Sequence, residues 1–183
     1  MNTSNQESRN YLELKIPVRK NAEWFAKLRN AMSDAGIAVK WQDGWYHITI
    51  VFVNDNNHVD QLHQVFDNVF NRKRAPLLTL DKLGTFTTRG GLQHIVYLSS
   101  SKLSEEIKAL IDELRGVAKA VGANLDSEFR LHISLGRIDA KAVSMERVEK
   151  IIDKIVVPEF TLKVKEAEYR YFRNRSIQKW QMK

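Results

Sequence analysis

Two stretches of this chain repeat one another: Trp45-Tyr46-His47-Ile48-Thr49-Ile50-Val51-Phe52 and Arg130-Leu131-His132-Ile133-Ser134-Leu135-Gly136-Arg137. Each runs histidine, apolar residue, hydroxyl residue, apolar residue. On a β-strand successive side chains point to opposite faces, so His47 shares a face with Thr49, and His132 with Ser134. The intervening Ile48, Ile50, Ile133 and Leu135 then pin each strand to a core. That pattern commits both stretches to half-buried strands. A single His-x-hydroxyl triplet is common on strands, and a lone histidine in one is more often structural than functional. Two copies, 85 positions apart at corresponding points of a two-part chain, carry more weight.

The remaining periodicities supply the elements around these strands. Leu12, Leu14 and Ile16 alternate with Glu13, Lys15 and Pro17, which predicts a strand over 11–18. Asn21 can cap a helix bearing Trp24, Phe25, Leu28, Met32 and Ala35, and Gly36 stops it. Asp43-Gly44 divides the extended stretch 39–53 as a hairpin-type turn. Val59, Leu62, Phe66 and Val69 stripe a second helix. Residues 76–83 and 91–98 read as strands joined by a loop with Gly84, Phe86, Arg89, Gly90 and Gly91. The longest amphipathic helix carries Leu103, Ile107, Leu110, Ile111, Leu114, Val117 and Val121 and ends at Gly122. A further helix spans Met145 to Ile155 before Pro158, and strands over 160–173 and 176–181 follow. Strands alternating with two helices per half predict an α+β or α/β chain of two similar lobes. No Gly-, Pro- or Ser-rich linker separates them, so the lobes should share an interface.

Composition narrows the chemistry. A chain of 183 residues can bury a real core. The absence of cysteine excludes disulfide scaffolds, thiolate nucleophiles, zinc ribbons and iron–sulfur sites. Met1 to Gln6 is polar and lacks the apolar centre of a secretory signal. No apolar run approaches the roughly 18–20 residues of a membrane helix, so the expectation is a cytoplasmic protein without membrane association. The net charge is +7, and the last segment holds Lys163, Lys165, Arg170, Arg173, Arg175, Lys179 and Lys183 against Glu166 and Glu168. Interleaved with Tyr169, Tyr171, Phe172 and Trp180, this strip suits phosphate contacts and base stacking. It equally suits a solvated edge strand that lysines protect from aggregation.

The paired triplets have a specific physical use. Imidazole titrates near pH ~6.5, so one ring can accept a proton while the other donates one. A phosphodiester displacement needs both events, and each positioned group contributes roughly 10²–10⁴-fold. The hydroxyls of Thr49 and Ser134 can donate to non-bridging phosphoryl oxygens. This design requires no metal or other cofactor. His58 and His63 stand five residues apart, off the spacing of a helical metal pair, and are expected in solvent. His94 alternates with Leu92, Val96 and Leu98 and reads as a satisfied core histidine; a His47–His94–His132 zinc site is the competing arrangement. Neither a P-loop nor a G-x-G-x-x-G is present.

These motifs resemble those of the 2H phosphoesterase superfamily, which includes 2′–5′ RNA ligase-like proteins and cyclic nucleotide phosphodiesterases. The resemblance runs from Tyr11 to the C-terminus in motif and element order. It implies one bilobal domain over 1–183, an α+β fold of two pseudo-symmetric lobes, with antiparallel sheets and outer helices around a central groove. By position it makes His47 and His132 the acid and base, and Thr49 and Ser134 the phosphate-holding hydroxyls. Phe52 and Arg137 match the aromatic and basic residues after the two motifs. Phe86 and Tyr97 match aromatics between the lobes and in the following strand, and Tyr46 completes the expected substrate-binding set. The implied activity is metal-independent: opening 2′,3′-cyclic phosphates, or cleaving and forming 2′–5′ linkages, on RNA ends or nucleotides. No obligate protein partner follows from it. Phe52 runs on into Val53-Asn54 rather than the Leu-Gly ending of the bacterial ligase-like branch, which leaves subfamily and substrate open. The alternative function is a non-catalytic module that reads single-stranded RNA by stacking.

Overall fold

A computed structural model describes residues 9–125, 128–172 and 175–183. The polar start Met1 to Gln6, and Arg173 of the basic strip, lie outside the described residues. The first half contains β1 (Asn10–Ile16), α1 (Glu23–Asp34), β2 (Lys40–Trp41), β3 (Tyr46–Val53), α2 (Val59–Phe70), β4 (Leu77–Leu80) and β5 (Lys82–Thr87). The second contains β6 (Gln93–Ser99), α3 (Glu105–Ala120), β7 (Ile133–Asp139), α4 (Met145–Ile152), β8 (Phe160–Lys163), β9 (Glu166–Tyr171) and β10 (Ser176–Gln181).

The strands form two antiparallel four-stranded sheets, β10-β9-β1-β3 and β2-β7-β6-β5, and a small β4-β8 pair. The α+β class is one of the two that the periodicities allow and the one that the resemblance implies. The lobes, however, do not coincide with the halves of the chain. β1 pairs with β9, so both ends of the chain build the first sheet while the middle builds most of the second. Behind the first sheet α2 meets α3 and β10, and α3 meets β3; on the second, α4 meets β5 and α1. Leu12, Leu14, Ile48, Leu62, Phe66, Leu114 and Leu135 are among the fully buried side chains of one continuous apolar cluster.

Three local expectations give way. Asp43-Gly44 does not close a hairpin: β2 and β3 belong to different sheets, and Lys40 and Trp41 pair with Arg137 and Gly136 of β7. Gly136 supplies the reason, because a Cβ there would stand 2.6 Å from Val39 Cγ1 and 2.9 Å from Trp41 Cε3. The bare glycine lets β2 close down on β7, and the turn at Gly44, with φ +86°, carries the chain across to the other sheet. Gly84 and Phe86, read as loop residues, lie within β5. Asn21 is one residue early for a cap: the Ala22 carbonyl accepts from Phe25 and Ala26, placing Ala22 at the N-cap without a side-chain acceptor. The later helices are capped as serine allows, Ser104 accepting from Ile107 N–H and Ser144 from Arg147 N–H. No helix among the described residues is long and apolar enough to cross a membrane.

Candidate active site

Both histidine motifs contain the same irregularity. In the β1–β3 ladder Leu12 pairs with Val51 and Glu13 with Thr49, leaving Ile50 unpaired. In the β6–β7 ladder Val96 pairs with Gly136 and Tyr97 with Ser134, leaving Leu135 unpaired. Each extra residue directly follows the motif's hydroxyl residue. A bulge shifts the alternation by one. Phe52 and Arg137, five residues beyond their histidines, therefore return to the histidine face. The Arg115 guanidinium donates to the carbonyl of the bulged Ile50 at 2.8 Å and holds the first bulge in place.

On the first sheet, Tyr11, Glu13 and Lys15 of β1 face the same side as His47, Thr49 and Phe52. The rings of Tyr11 and Phe52 lie stacked at 6.1 Å, and Tyr11 is 6.4 Å from the His47 ring. Glu13 is 0% exposed. Its Oε1 accepts from Trp45 Nε1–H at 2.7 Å, while Oε2 stands 3.6 Å from His47 Nδ1. Neither Oε2 nor Nδ1 has a hydrogen-bond partner, so each is the other's polar neighbour. Burial raises the Glu13 carboxyl, and the Trp45 hydrogen bond opposes that. Beside it Lys15 pairs with Glu168 at 2.8 Å. Burial, then the charges of His132, Arg170, Arg137 and Lys15, pull His47 down to about 4. It is therefore neutral at pH 7, and its contact with Glu13 becomes an ion pair only when a proton is added.

His132 immediately precedes β7, and its Nδ1 lies 3.0 Å from the Arg130 carbonyl. A carbonyl can only accept, so Nδ1 carries the hydrogen and Nε2 presents a lone pair. Burial lowers this histidine too, against the opposing pull of that hydrogen bond. The ring is boxed edge-on by Phe86 at 5.2 Å and Tyr97 at 6.1 Å. Tyr97 can lie there because Gly84 has no side chain: a Cβ would run into the Tyr97 ring.

Residues of both sheets line one cavity of about 740 Å³: Thr49 and Phe52 from the first, Phe86 and His132 from the second, with Arg89, Arg115 and Arg130 around them. His47 senses the charge of His132 across this groove. Ser134 is paired opposite Tyr97, and Arg137 donates to Gln93 Oε1 at 3.2 Å. Tyr46 is not among the groove residues. Next to His47 on a strand of period two, it faces the core, 4% exposed and edge-on to Phe25 at 6.3 Å.

The other histidines are engaged elsewhere. His94 is 5% exposed, its Nε2 donating to the Val143 carbonyl at 2.8 Å and its Nδ1 accepting from the Thr87 hydroxyl at 2.9 Å. Neither nitrogen can turn toward His47 and His132 without breaking one of those bonds. His58 and His63, expected in solvent, are half-buried beside Asp55 and Trp180. The basic strip divides as well. Tyr169 is buried, its hydroxyl donating to Asn10 Oδ1, and Trp180 is buried with its indole N–H on Asp67. Arg170 lies over the Trp45 ring, 5.2 Å from its centre.

Glu13, Trp45 and Arg170 join the site without having been singled out in the motif. Trp45 was legible, since it stands two residues before His47 and must share its face. Glu13 could be seen only as a polar position on a strand, because it meets His47 through the β1–β3 register.

The chain matches, over residues 17–172, the family described as the 2'-5' RNA ligase superfamily. Among solved structures it is similar to Usb1 of Kluyveromyces marxianus, at 8% identity over 97% of this chain and 99% of that one, with a TM-score of 0.65. It is also similar to E. coli LigT complexed with 3'-AMP, at 17% identity over 96% and 98%, TM-score 0.57. A third is a phosphoesterase at 18% identity over 96% and 98%, TM-score 0.55. At such identities the likeness is one of fold. No curated protein matches in sequence.

Proposed function

The chain belongs to the 2'-5' RNA ligase superfamily, and from that premise we propose a phosphoesterase that uses His47 and His132 as an acid–base pair on RNA ends or nucleotides. It opens 2′,3′-cyclic phosphates, or cleaves and forms 2′–5′ linkages, with both lobes working as one unit. One observation carries this reading: Thr49 of one histidine motif and His132 of the other line the same groove, and the two histidine rings are backed differently. Ligands in the solved relatives are in keeping with it, uridine monophosphate in Usb1 and 3'-AMP in LigT.

We read the roles from the backing. The carbonyl behind His132 holds a neutral ring with Nε2 free, the form a base needs. The Glu13 carboxylate behind His47 stabilises that ring when protonated, the form an acid needs. In cyclic phosphate opening, His132 Nε2 takes the proton of water as its oxygen bonds to phosphorus. His47 gives a proton to the ribose oxygen whose bond to phosphorus breaks. Burial, then the surrounding cations, keep the free His47 neutral, and the bound anion offsets the cations. Thr49, Ser134 and Arg137 hold the non-bridging oxygens, and Phe86 and Tyr97 keep the base aligned. In the ligation direction the two histidines exchange roles.

Assays on 2′,3′-cyclic nucleotides and 2′–5′ dinucleotides test the proposal. His47→Ala and His132→Ala are each expected to lower kcat by about 10³-fold or more with the fold retained. Full activity is expected after exhaustive chelation. RNA binding without any turnover, unaffected by either change, would instead identify a binding module.

A further inference from the structure

On its strand face His47 stands between Thr49, which lines the groove, and Trp45, which lines a second hollow. The second hollow, of about 340 Å³, has a wall that includes Trp45, Lys15, Lys20, Lys163 and Lys165, with Glu166 as its carboxylate. We propose that this hollow is a second nucleotide subsite, which takes the nucleotide preceding the reacting one, base on Trp45 and phosphate on Lys163 and Lys165. The inference rests on the phosphoesterase reading and specifies its substrate as an oligonucleotide end.

Trp45 is a large ring left 45% exposed, yet its polar edge is fixed. The indole N–H is held at 2.7 Å by Glu13, a carboxylate with no exposure. Lys15 Nζ lies 4.6 Å and Arg170 Cζ 5.2 Å from the ring centre. An exposed aromatic with a locked edge loses little freedom when a base stacks on it. The cations of the wall differ in what already occupies them. Lys15 is paired with Glu168 at 2.8 Å, and Lys20 lies 4.0 Å from Asp43. Lys163 and Lys165 make no ion pair among the described residues, and are placed to meet a phosphate.

Spacing and chemistry agree. Trp45 and His47 are two residues apart on one strand face, ~7 Å, a step that one nucleotide can span. A 2′,3′-cyclic phosphate exists only at the 3′ end of a strand, so the polymer continues in the 5′ direction alone. With the terminal nucleoside in the larger groove beside Phe86 and His132, its 5′ phosphate and the preceding base pass His47 toward Trp45.

Three cyclic phosphates separate the possibilities: a mononucleotide, the same mononucleotide with a 5′ phosphate, and a dinucleotide. The dinucleotide is expected to have the highest kcat/KM, by roughly 10-fold or more over either mononucleotide. The Lys163→Ala/Lys165→Ala double variant, with its fold checked by urea midpoint, should bring that ratio toward one. Equal turnover of all three, or a gain already complete with the 5′-phosphorylated mononucleotide, overturns the subsite and leaves the phosphoesterase reading standing. Binding of a 3′-phosphorylated dinucleotide, followed by tryptophan fluorescence, separates the converse case. Tighter binding than the mononucleotide, weakened in the double variant, upholds the subsite even if nothing is turned over, while equal binding removes it.

Discussion

His47 is held in a form that costs the folded chain stability in acid. Burial and four cationic neighbours pull it to about 4, whereas in the unfolded chain it takes up a proton near 6.5. Between those values the unfolded state binds more protons, so acid favours unfolding across that window and the penalty is absent above it. His47→Gln is expected to keep its urea midpoint better than the parent between about pH 7 and about pH 4.5. An equal loss in both proteins would place the acid sensitivity elsewhere. The proposed reaction draws on the same groups. With His132 lowered as well, kcat/KM is expected to peak below 6.5 and decline through neutral pH, and Arg170→Gln, by removing one cause, should move the peak upward. Glu13→Gln keeps the acceptor for Trp45 but removes the charge behind His47. Its kcat should fall about 10–100-fold with the acid limb displaced downward; a merely structural Glu13 would leave the pH profile in place.

At the scale of elements, two bulged strands do the positioning. The alternation over Tyr46–Thr49 and Leu131–Ser134 is local, and it was legible because a strand repeats every two residues whatever it pairs with. The bulges at Ile50 and Leu135 were not, since an unpaired residue is defined only by a partner strand. They explain why Phe52 reaches the groove, and Arg137 returns to the histidine face, at an odd offset from the histidines. Tyr46 shows the same rule from the other side: its place next to His47 already sent it to the core. Gly84 offers a test of strand-level support. Gly84→Ala places a methyl where Tyr97 now lies, so the ring must move away from His132. The expected result is a loss of about 1–3 kcal/mol in stability and roughly 10-fold in kcat/KM, read by urea unfolding and steady-state kinetics. Unchanged kinetics in a destabilised protein would show that Tyr97 does not hold the base.

For the molecule as a whole, the two ends of the chain meet in one sheet and the middle forms the other, with the groove between them. A net charge of +7 and the arginines of that groove imply that oligonucleotide affinity falls as salt rises. Each lysine that holds a phosphate contributes about 0.7 to the slope of log K against log salt on a single strand, so the Lys163→Ala/Lys165→Ala protein should show a slope shallower by about 1.4. An identical slope would mean that neither lysine meets a phosphate.

Periodicity alone determined the helical stripes, the aliphatic faces that became the core, and the two histidine–hydroxyl pairs, and it narrowed the class to α+β or α/β. All of these are written in spacings of two to four residues, where the chain's own geometry decides. Only the tertiary structure decided that Lys40 and Trp41 leave β3 to join β7, that Glu13 comes to lie behind His47, and that Trp45 opens onto lysines more than a hundred residues away. Those facts depend on which strands pair and in what register, and register is settled by the burial of whole faces and by single bare positions such as Gly136, none of which any local pattern contains.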